Sequence, residues 1–376
     1  MERSVDGPVR IGVDARKLRD GGIGTYIRNV LSAALERPRG HQFVVFLDPS
    51  DLGTGPWRKN AAEEVSVKAG KYSLLEHWVL ARAARRSSLT LYHAPHYTLP
   101  LTWSGPAVVT IHDLIHVRYA RFYPPGAGLY ARLLAGAAAR RARLVITDST
   151  ATRADVVELL RIPEERVRVI ALGVASGITR RPAEEVTAFT RVRALPADYL
   201  LYVGARKRHK NLEVLIRALA ALPVSERAPL VLSGPPWKAH HPLARQARAC
   251  GVESLIHFAG ALRDERELSC LYAGASVYLQ PSLIEGFGLP PLEAMACGVP
   301  VIASRASALR ETLGEAALMV APQDAEAWAG AIARLRADSA GRAELARRGR
   351  ERARGFTWER TAERTLDAYD EALAGG

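Results

Sequence analysis

Short apolar runs of strand length alternate with helical stretches along this chain; the alternation breaks off once and then starts again. The runs "VRIGVDA" (9–15), "QFVVFLD" (42–48), "LTLYHA" (89–94), "AVVTIHD" (107–113), "RLVITDS" (143–149) and "VRVIALG" (167–173) read as strands. Helices are expected between them, notably at 25–35 behind the glycine loop "DGGIG" and at 128–141. The stretch 175–198 is polar, holds two prolines and reads as a connection. The rhythm then resumes with "YLLYVGA" (199–205), a helix at 211–222 with Asn211 as its cap, and the strands "PLVLSG" (229–234), "IHFAGA" (256–261), "SVYLQPS" (276–282) and "PVIAS" (300–304). Strands apolar on both faces and separated by helices form parallel sheets covered on both sides. The expected class is therefore α/β, with two Rossmann-like doubly wound domains facing each other across a deep cleft. The first is expected to cover residues 1–180 and the second 181–376, with a last helix at about 358–375 packing back on the first domain.

A chain of 376 residues fits two domains of ordinary size. No apolar run approaches the ~20 residues of a membrane span, and the start "MERSVDGPVRIGVDAR" lacks the apolar segment of a leader peptide. Cys250, Cys270 and Cys297 are spaced for neither a disulfide framework nor a zinc site, which points to reduced cysteines in the cytoplasm. The formal net charge of +13 favours anionic partners: phosphorylated small molecules, acidic lipid or nucleic acid. No aromatic-rich basic platform supports the last of these.

The stretch "LIEGFGLPPLEAMACG" (283–298) carries the most chemistry. A strand ends before it, and Pro290 or Pro291 opens a helix, since proline suits a first turn whose amides have no helical partner. The amides of Gly286, Phe287, Gly288 and Leu289 then form an anion site at a positive helix end, suited to a diphosphate. Glu293 falls within the first two turns, where its carboxylate suits a ribose diol; Glu285 falls before the helix, on the side of a reacting sugar. The plainer alternative is that Glu293 caps its helix and Glu285 braces a turn.

This string, two glutamates with seven residues between them, closely resembles the signature of a family of retaining nucleotide-sugar glycosyltransferases with the GT-B fold, family 4. The resemblance runs from "DARKLRDGGIGTYIRNVL" to the C-terminal helices. It implies a first domain that binds the acceptor, a second that binds a nucleoside diphosphate sugar, and transfer with retention. It also assigns residues. Lys210, in the basic loop "YVGARKRHKN" (202–211), matches the family's lysine six residues after the glycine and clamps the diphosphate. The arginine that often follows this glycine is replaced by Ala205, so Arg206 or Arg208 takes that part. Gly22, and next Gly24, in "DGGIG" approach the diphosphate from the first domain. His112 in "VVTIHDLIH" touches the donor sugar, and Gly260 and Leu262 in "HFAGAL" contact the base.

There is no DxD triplet in the chain, so no metal or other cofactor is expected. The expected reaction moves a hexose, mannose by resemblance to surface-polysaccharide enzymes, to a sugar or lipid-linked acceptor. Glu285, His112 and Lys210 would carry the chemistry. The rivals are a sugar-nucleotide epimerase or phosphorylase on the same fold, a nucleic-acid-binding protein, and an inactive subunit of a partner transferase. In 115–143, arginines alternate with Tyr119, Phe122, Tyr123, Tyr130 and Leu133. That pattern adds peripheral contact at the inner face of a membrane as an expectation.

Overall fold

The computed structural model describes residues 8–57, 62–70 and 73–375. The segment 1–7, on which the expectation of no leader partly rests, lies outside them. The chain divides into two compact units, one made of Met1–Gly173 with Trp358–Gly376 and the other of Val174–Thr357.

The first unit is built on seven parallel strands: β1 Arg10–Asp14, β2 Gln42–Leu47, β3 Glu63–Ser66, β4 Leu91–Ala94, β5 Ala107–Ile111, β6 Leu144–Thr147 and β7 Val167–Val169. Their order is β3-β2-β1-β4-β5-β6-β7. The chain steps outward from β1 to β3 and then returns beside β1 to lay down β4, so the switch point lies between β1 and β4. The central strands are apolar on both faces because helices cover both. Leu80, Ala81 and Ala84 of the helix Leu74–Arg86, and Ala135, Ala138 and Ala139 of the helix Ala127–Arg141, share one core with Val109, Ile111 and Val145. The final helix, Trp358–Ala374, packs against the helix Gly21–Glu36. It is anchored by Tyr369, whose hydroxyl is hydrogen-bonded to Nδ1 of buried His93 at 2.7 Å, and by Thr361 donating to the Ala171 carbonyl at 2.8 Å.

The second unit has six parallel strands: β8 Tyr199–Tyr202, β9 Leu230–Leu232, β10 Ile256–Phe258, β11 Ala275–Gln280, β12 Val301–Ser304 and β13 Leu318–Val320. The order β10-β9-β8-β11-β12-β13 places its switch point between β8 and β11. Open parallel sheets take ligands beyond the C-terminal ends of their strands at such a point.

Three local features differ from the sequence reading. The glycines after Asp20 do not form a loop before a helix: they are its first turn, since the helix already begins at Gly21. The polar stretch 175–198 contains the helix Ala183–Val192, which has no fully buried residue and is fastened to the helix Glu265–Ala273 by Arg266–Glu185. Asn211 does precede a helix, but in the left-handed conformation (φ 57°) and without a side-chain bond to that helix.

Candidate active site

In the second unit the switch point is stitched shut by the loops that follow β8 and β11. The Leu283 amide donates to the His209 carbonyl at 2.8 Å. Asn211 Nδ2 donates to the Pro281 carbonyl at 3.0 Å and to the Pro322 carbonyl at 2.5 Å, joining three strand ends. This is why Asn211 does not cap its helix: its amide is spent between loops. The stitching delivers Lys210, at the end of the 3-10 turn Arg208–Lys210, onto Glu285. Lys210 Nζ lies 2.8 Å from both carboxylate oxygens.

Glu285 is held by more than the lysine. Ser282 Oγ donates to Oε1 at 2.6 Å and Gln280 Nε2 donates to the same oxygen at 2.7 Å. Gln280 is itself fixed by the Tyr278 hydroxyl, which donates to its Oε1 at 2.7 Å. Tyr278, Gln280 and Ser282 are buried. Oε1 therefore receives three donors, whereas Oε2 faces Lys210. Burial by itself pushes the Glu285 carboxyl up. The charge of Lys210 and the hydrogen bonds from Lys210 and Ser282 outweigh burial and hold it below its ordinary value. The site thus keeps an ionised carboxylate, with Oε1 held by three donors and Oε2 by Lys210 alone. A turn brace would need only the Ser282 contact.

The loop beyond Glu285 is rigid. Gly288 caps the helix Leu289–Ala296 with φ 98°, and a Cβ there would meet Leu309 at 2.4 Å, so the position demands glycine. Phe287 is buried; its carbonyl accepts from Thr312 Oγ1 at 2.8 Å and its ring meets Phe356 edge-on at 5.8 Å. Pro290 and Pro291 lie in the first turn, and with Gly286 and Leu289 these residues set the helix start. Glu293 does not cap this helix. Its Oε2 accepts from the Tyr272 hydroxyl of the helix Glu265–Ala273 at 2.7 Å. Burial pushes the Glu293 carboxyl up to about 7, against the pull of that bond, so the two glutamates of the motif have opposite proton affinities.

Arg206 turns the other way. Its Nη1 donates to the Pro235 carbonyl at 2.6 Å and its guanidinium lies over Phe258, 5.7 Å from the ring centre. Arg208 is exposed in the turn that carries Lys210. Gly260, at φ 73°, exchanges both backbone hydrogen bonds with Gly234, at 3.1 and 3.2 Å, which closes the ends of β9 and β10. Leu262 follows, half-buried, after Ala261, whose carbonyl accepts from Arg193 at 2.9 Å.

The remaining candidates belong to the first unit. Gly22 is exposed with open space at its Cβ position, whereas a Cβ on Gly24 would lie 2.2 Å from the Leu18 carbonyl oxygen. Helix packing alone explains Gly24; it does not explain Gly22. His112 follows β5 and is gripped at both nitrogens: Nδ1 is 2.7 Å from Asp148 Oδ2 and Nε2 is 3.0 Å from the Pro95 carbonyl. The Tyr26 ring meets it edge-on at 4.8 Å. Burial alone lowers the His112 pKa, but Asp148 outweighs it and raises it. Burial also lifts Asp148. Because both ring nitrogens face acceptors, the shared proton sits on the ring.

Asp148, Gln280, Ser282, Tyr272 and the tethering role of Asn211 were missed in the sequence. Asp148 had a signal: Ile111 pairs with Thr147 in adjacent parallel strands, so residues 112 and 148 emerge side by side. The others act across helices and loops that no local spacing reveals.

Comparison with known proteins agrees with this architecture. The family model described as "Glycosyltransferase Family 4" matches residues 20–176, and that described as "Glycosyl transferases group 1" matches 189–354. The chain is 33% identical over 301 residues to O-antigen chain mannosyltransferase B of Escherichia coli, covering 79% of this chain and 78% of that protein. Among solved structures, sucrose-phosphate synthase from Thermosynechococcus elongatus superposes with a TM-score of 0.79 at 25% identity, over 98% of this chain and 100% of that one. Anabaena HepE in complex with UDP-glucose gives 0.77 at 18% identity, over 96% and 99%, a likeness of fold.

Proposed function

The chain belongs to family 4 of the GT-B glycosyltransferases, and we propose that it transfers a hexose from a nucleoside diphosphate sugar to an acceptor hydroxyl with retention at the anomeric carbon. The observation that carries this reading is Glu285, an ionised carboxylate locked at one oxygen and paired with Lys210 at a sheet's switch point. The departing diphosphate draws Lys210 toward itself and meets the amides at 286–289, so charge developing on the leaving group is stabilised by groups already in place. Glu285 Oε2, released from the lysine, faces the sugar and stabilises its oxocarbenium-like state. Glu293 accepts from the ribose diol. His112, as an imidazolium, contributes to sugar binding from the first unit, and Gly22 to diphosphate binding. With Lys210 supplying the counter-charge, no metal is required.

The likeness to O-antigen chain mannosyltransferase B of E. coli supports mannose as the sugar and a surface polysaccharide as the product. The acceptor is then a sugar chain or its lipid-linked form. The decisive experiment is turnover of Glu285→Gln and Lys210→Ala with a thermal-shift panel of GDP-, UDP-, ADP- and dTDP-sugars. A donor at 100 times its dissociation constant raises stability by about 2.7 kcal/mol. Both variants are expected to lose ~10²–10³ in kcat; near-normal rates in both would overturn the assignment.

A further inference from the structure

The first unit presents a face whose composition the transfer reaction does not explain. Residues 74–147 contain only two acids, Glu76 and Asp113, against nine arginines. Glu76 is not on the surface: it is 2% exposed and accepts from Arg16 at 2.6 Å. Asp113 is spent on the Ile115 amide at 3.0 Å. What this segment shows to solvent is therefore mainly cationic, with Arg118 paired to Asp155 and Glu158 and Arg82, Arg86 and Arg132 exposed.

Two helices and a loop make the face. The crossovers β3 to β4 and β5 to β6 step the same way across the sheet, so right-handed connections put the helices Leu74–Arg86 and Ala127–Arg141 on one side of it; their shared core confirms this. The loop between β4 and β5 joins them. Thr102 Oγ1 donates to the His77 carbonyl at 2.6 Å and Arg85 donates to the Thr102 carbonyl at 3.1 Å, while Arg141 donates to the carbonyl of Trp103. Large apolar side chains stand out from all three elements: Leu75 and Trp78 are 63% and 64% exposed, Leu129 and Leu133 63% and 59%, with Tyr130 and Leu101 beside them. Arg82, Arg86 and Arg132 are exposed among them. Of the aromatics singled out in the sequence, Tyr119 and Phe122 stack on each other at 5.4 Å and Tyr123 packs at a tilt against His116 at 4.1 Å. They are half-buried, and the exposed apolar residues of this face lie elsewhere.

We propose that this face docks on an anionic lipid bilayer. A protein partner would call for a contiguous apolar centre depleted of charge. Here the apolar tips stand in small groups, Leu75 with Trp78 and Leu129 with Leu133, on the same helices as the exposed Arg82, Arg86 and Arg132, which matches a layer where headgroups and acyl chains meet and where tryptophan concentrates. The inference extends the lipid-linked acceptor proposed above and rests on that reading. Flotation reads binding alone, so its failure is distinct from a failure of transfer.

The full chain is floated with phosphatidylcholine vesicles, with and without phosphatidylglycerol, at low and high salt. It is expected to float with the anionic vesicles at low salt only. Trp78→Ser with Leu129→Ser is expected to weaken partition at least about tenfold. Each of Arg82→Gln, Arg86→Gln and Arg132→Gln is expected to cost about fivefold. The proposal is overturned if the wild-type chain stays in the soluble fraction with anionic vesicles, or if only the arginine variants weaken binding, which marks adsorption by charge alone. It is equally overturned if the chain does not float but self-associates in light scattering and Trp78→Ser abolishes that, which marks an interface between copies.

Discussion

Replacing Lys210 by Met removes the cation that lets Glu285 remain ionised while buried. The two groups meet at 2.8 Å, with side chains 19% and 9% exposed. At an effective dielectric of about 20, opposite charges at that separation attract by roughly 6 kcal/mol, most of it offset by desolvating both ions. Breaking a buried pair from one side costs about 3–5 kcal/mol. The partial exposure of the lysine and the retained bonds from Ser282 and Gln280 place this case near the lower end, about 3 kcal/mol. For a unit of this size that is roughly 6–12 °C in Tm. The loss also depends on pH, with a sign that follows from Glu285. In the wild-type chain its carboxyl is held low, so its stabilisation is present above the ordinary carboxylate pKa and fades as pH falls through the folded value. In Lys210→Met, burial dominates and the carboxyl is pushed up, so acidification relieves the variant while weakening the wild type. The difference in Tm is expected to shrink steadily from pH 7 to pH 4, and Lys210→Met with Glu285→Gln is expected to be more stable than Lys210→Met alone. Thermal melts across pH test both. A Tm difference independent of pH, with additive substitutions, would refute the pairing argument.

Four further outcomes follow. Turnover is expected to survive EDTA unchanged; strict dependence on added Mg²⁺ or Mn²⁺ contradicts the role given to Lys210. Gly22→Ala is expected to keep the wild-type Tm and lose donor affinity, whereas Gly24→Ala lowers Tm because its Cβ meets the Leu18 carbonyl; calorimetry and melts separate the two. Donor binding is expected to tighten as pH rises through about 7, where Glu293 ionises, and Tyr272→Phe, which removes a bond favouring the ionised form, moves that rise to higher pH; a flat titration rejects the ribose contact. Ser282→Ala is expected to move the acid limb of kcat/KM to higher pH, an effect that loss of packing alone does not produce.

Most of the fold was legible because apolar strands in a parallel sheet leave a local trace. The runs that became β5 and β8, "AVVTI" and "YLLY", are almost wholly apolar, and those that became β1 and β11, "RIGVD" and "ASVYLQ", still carry an apolar centre. Of the edge strands, β7 and β10 were legible and β3 and β13 were not. β3 is "EEVS" and β13 is "LMV", too polar or too short to stand out. The helix Ala183–Val192 was hidden because it covers no core of its own. At the site, Glu285, Lys210 and Glu293 could be named because one motif and one basic loop carry them. Their geometry could not, since the bond between Lys210 and Glu285 depends on Asn211 tying three loops together. The same holds for His112, whose partner Asp148 lies 36 residues away and is brought beside it only by strand register.

The central claim is retaining transfer, and the most direct test is NMR of the product formed from an anomerically defined donor, GDP-mannose first, in the presence of an acceptor sugar or its lipid-linked form. The expected result is a new glycoside with the donor's anomeric configuration, together with free nucleoside diphosphate. An inverted glycoside would contradict the mechanism built on Glu285. A donor converted to a different nucleotide sugar or a sugar phosphate, with no glycoside formed, would contradict the transfer itself.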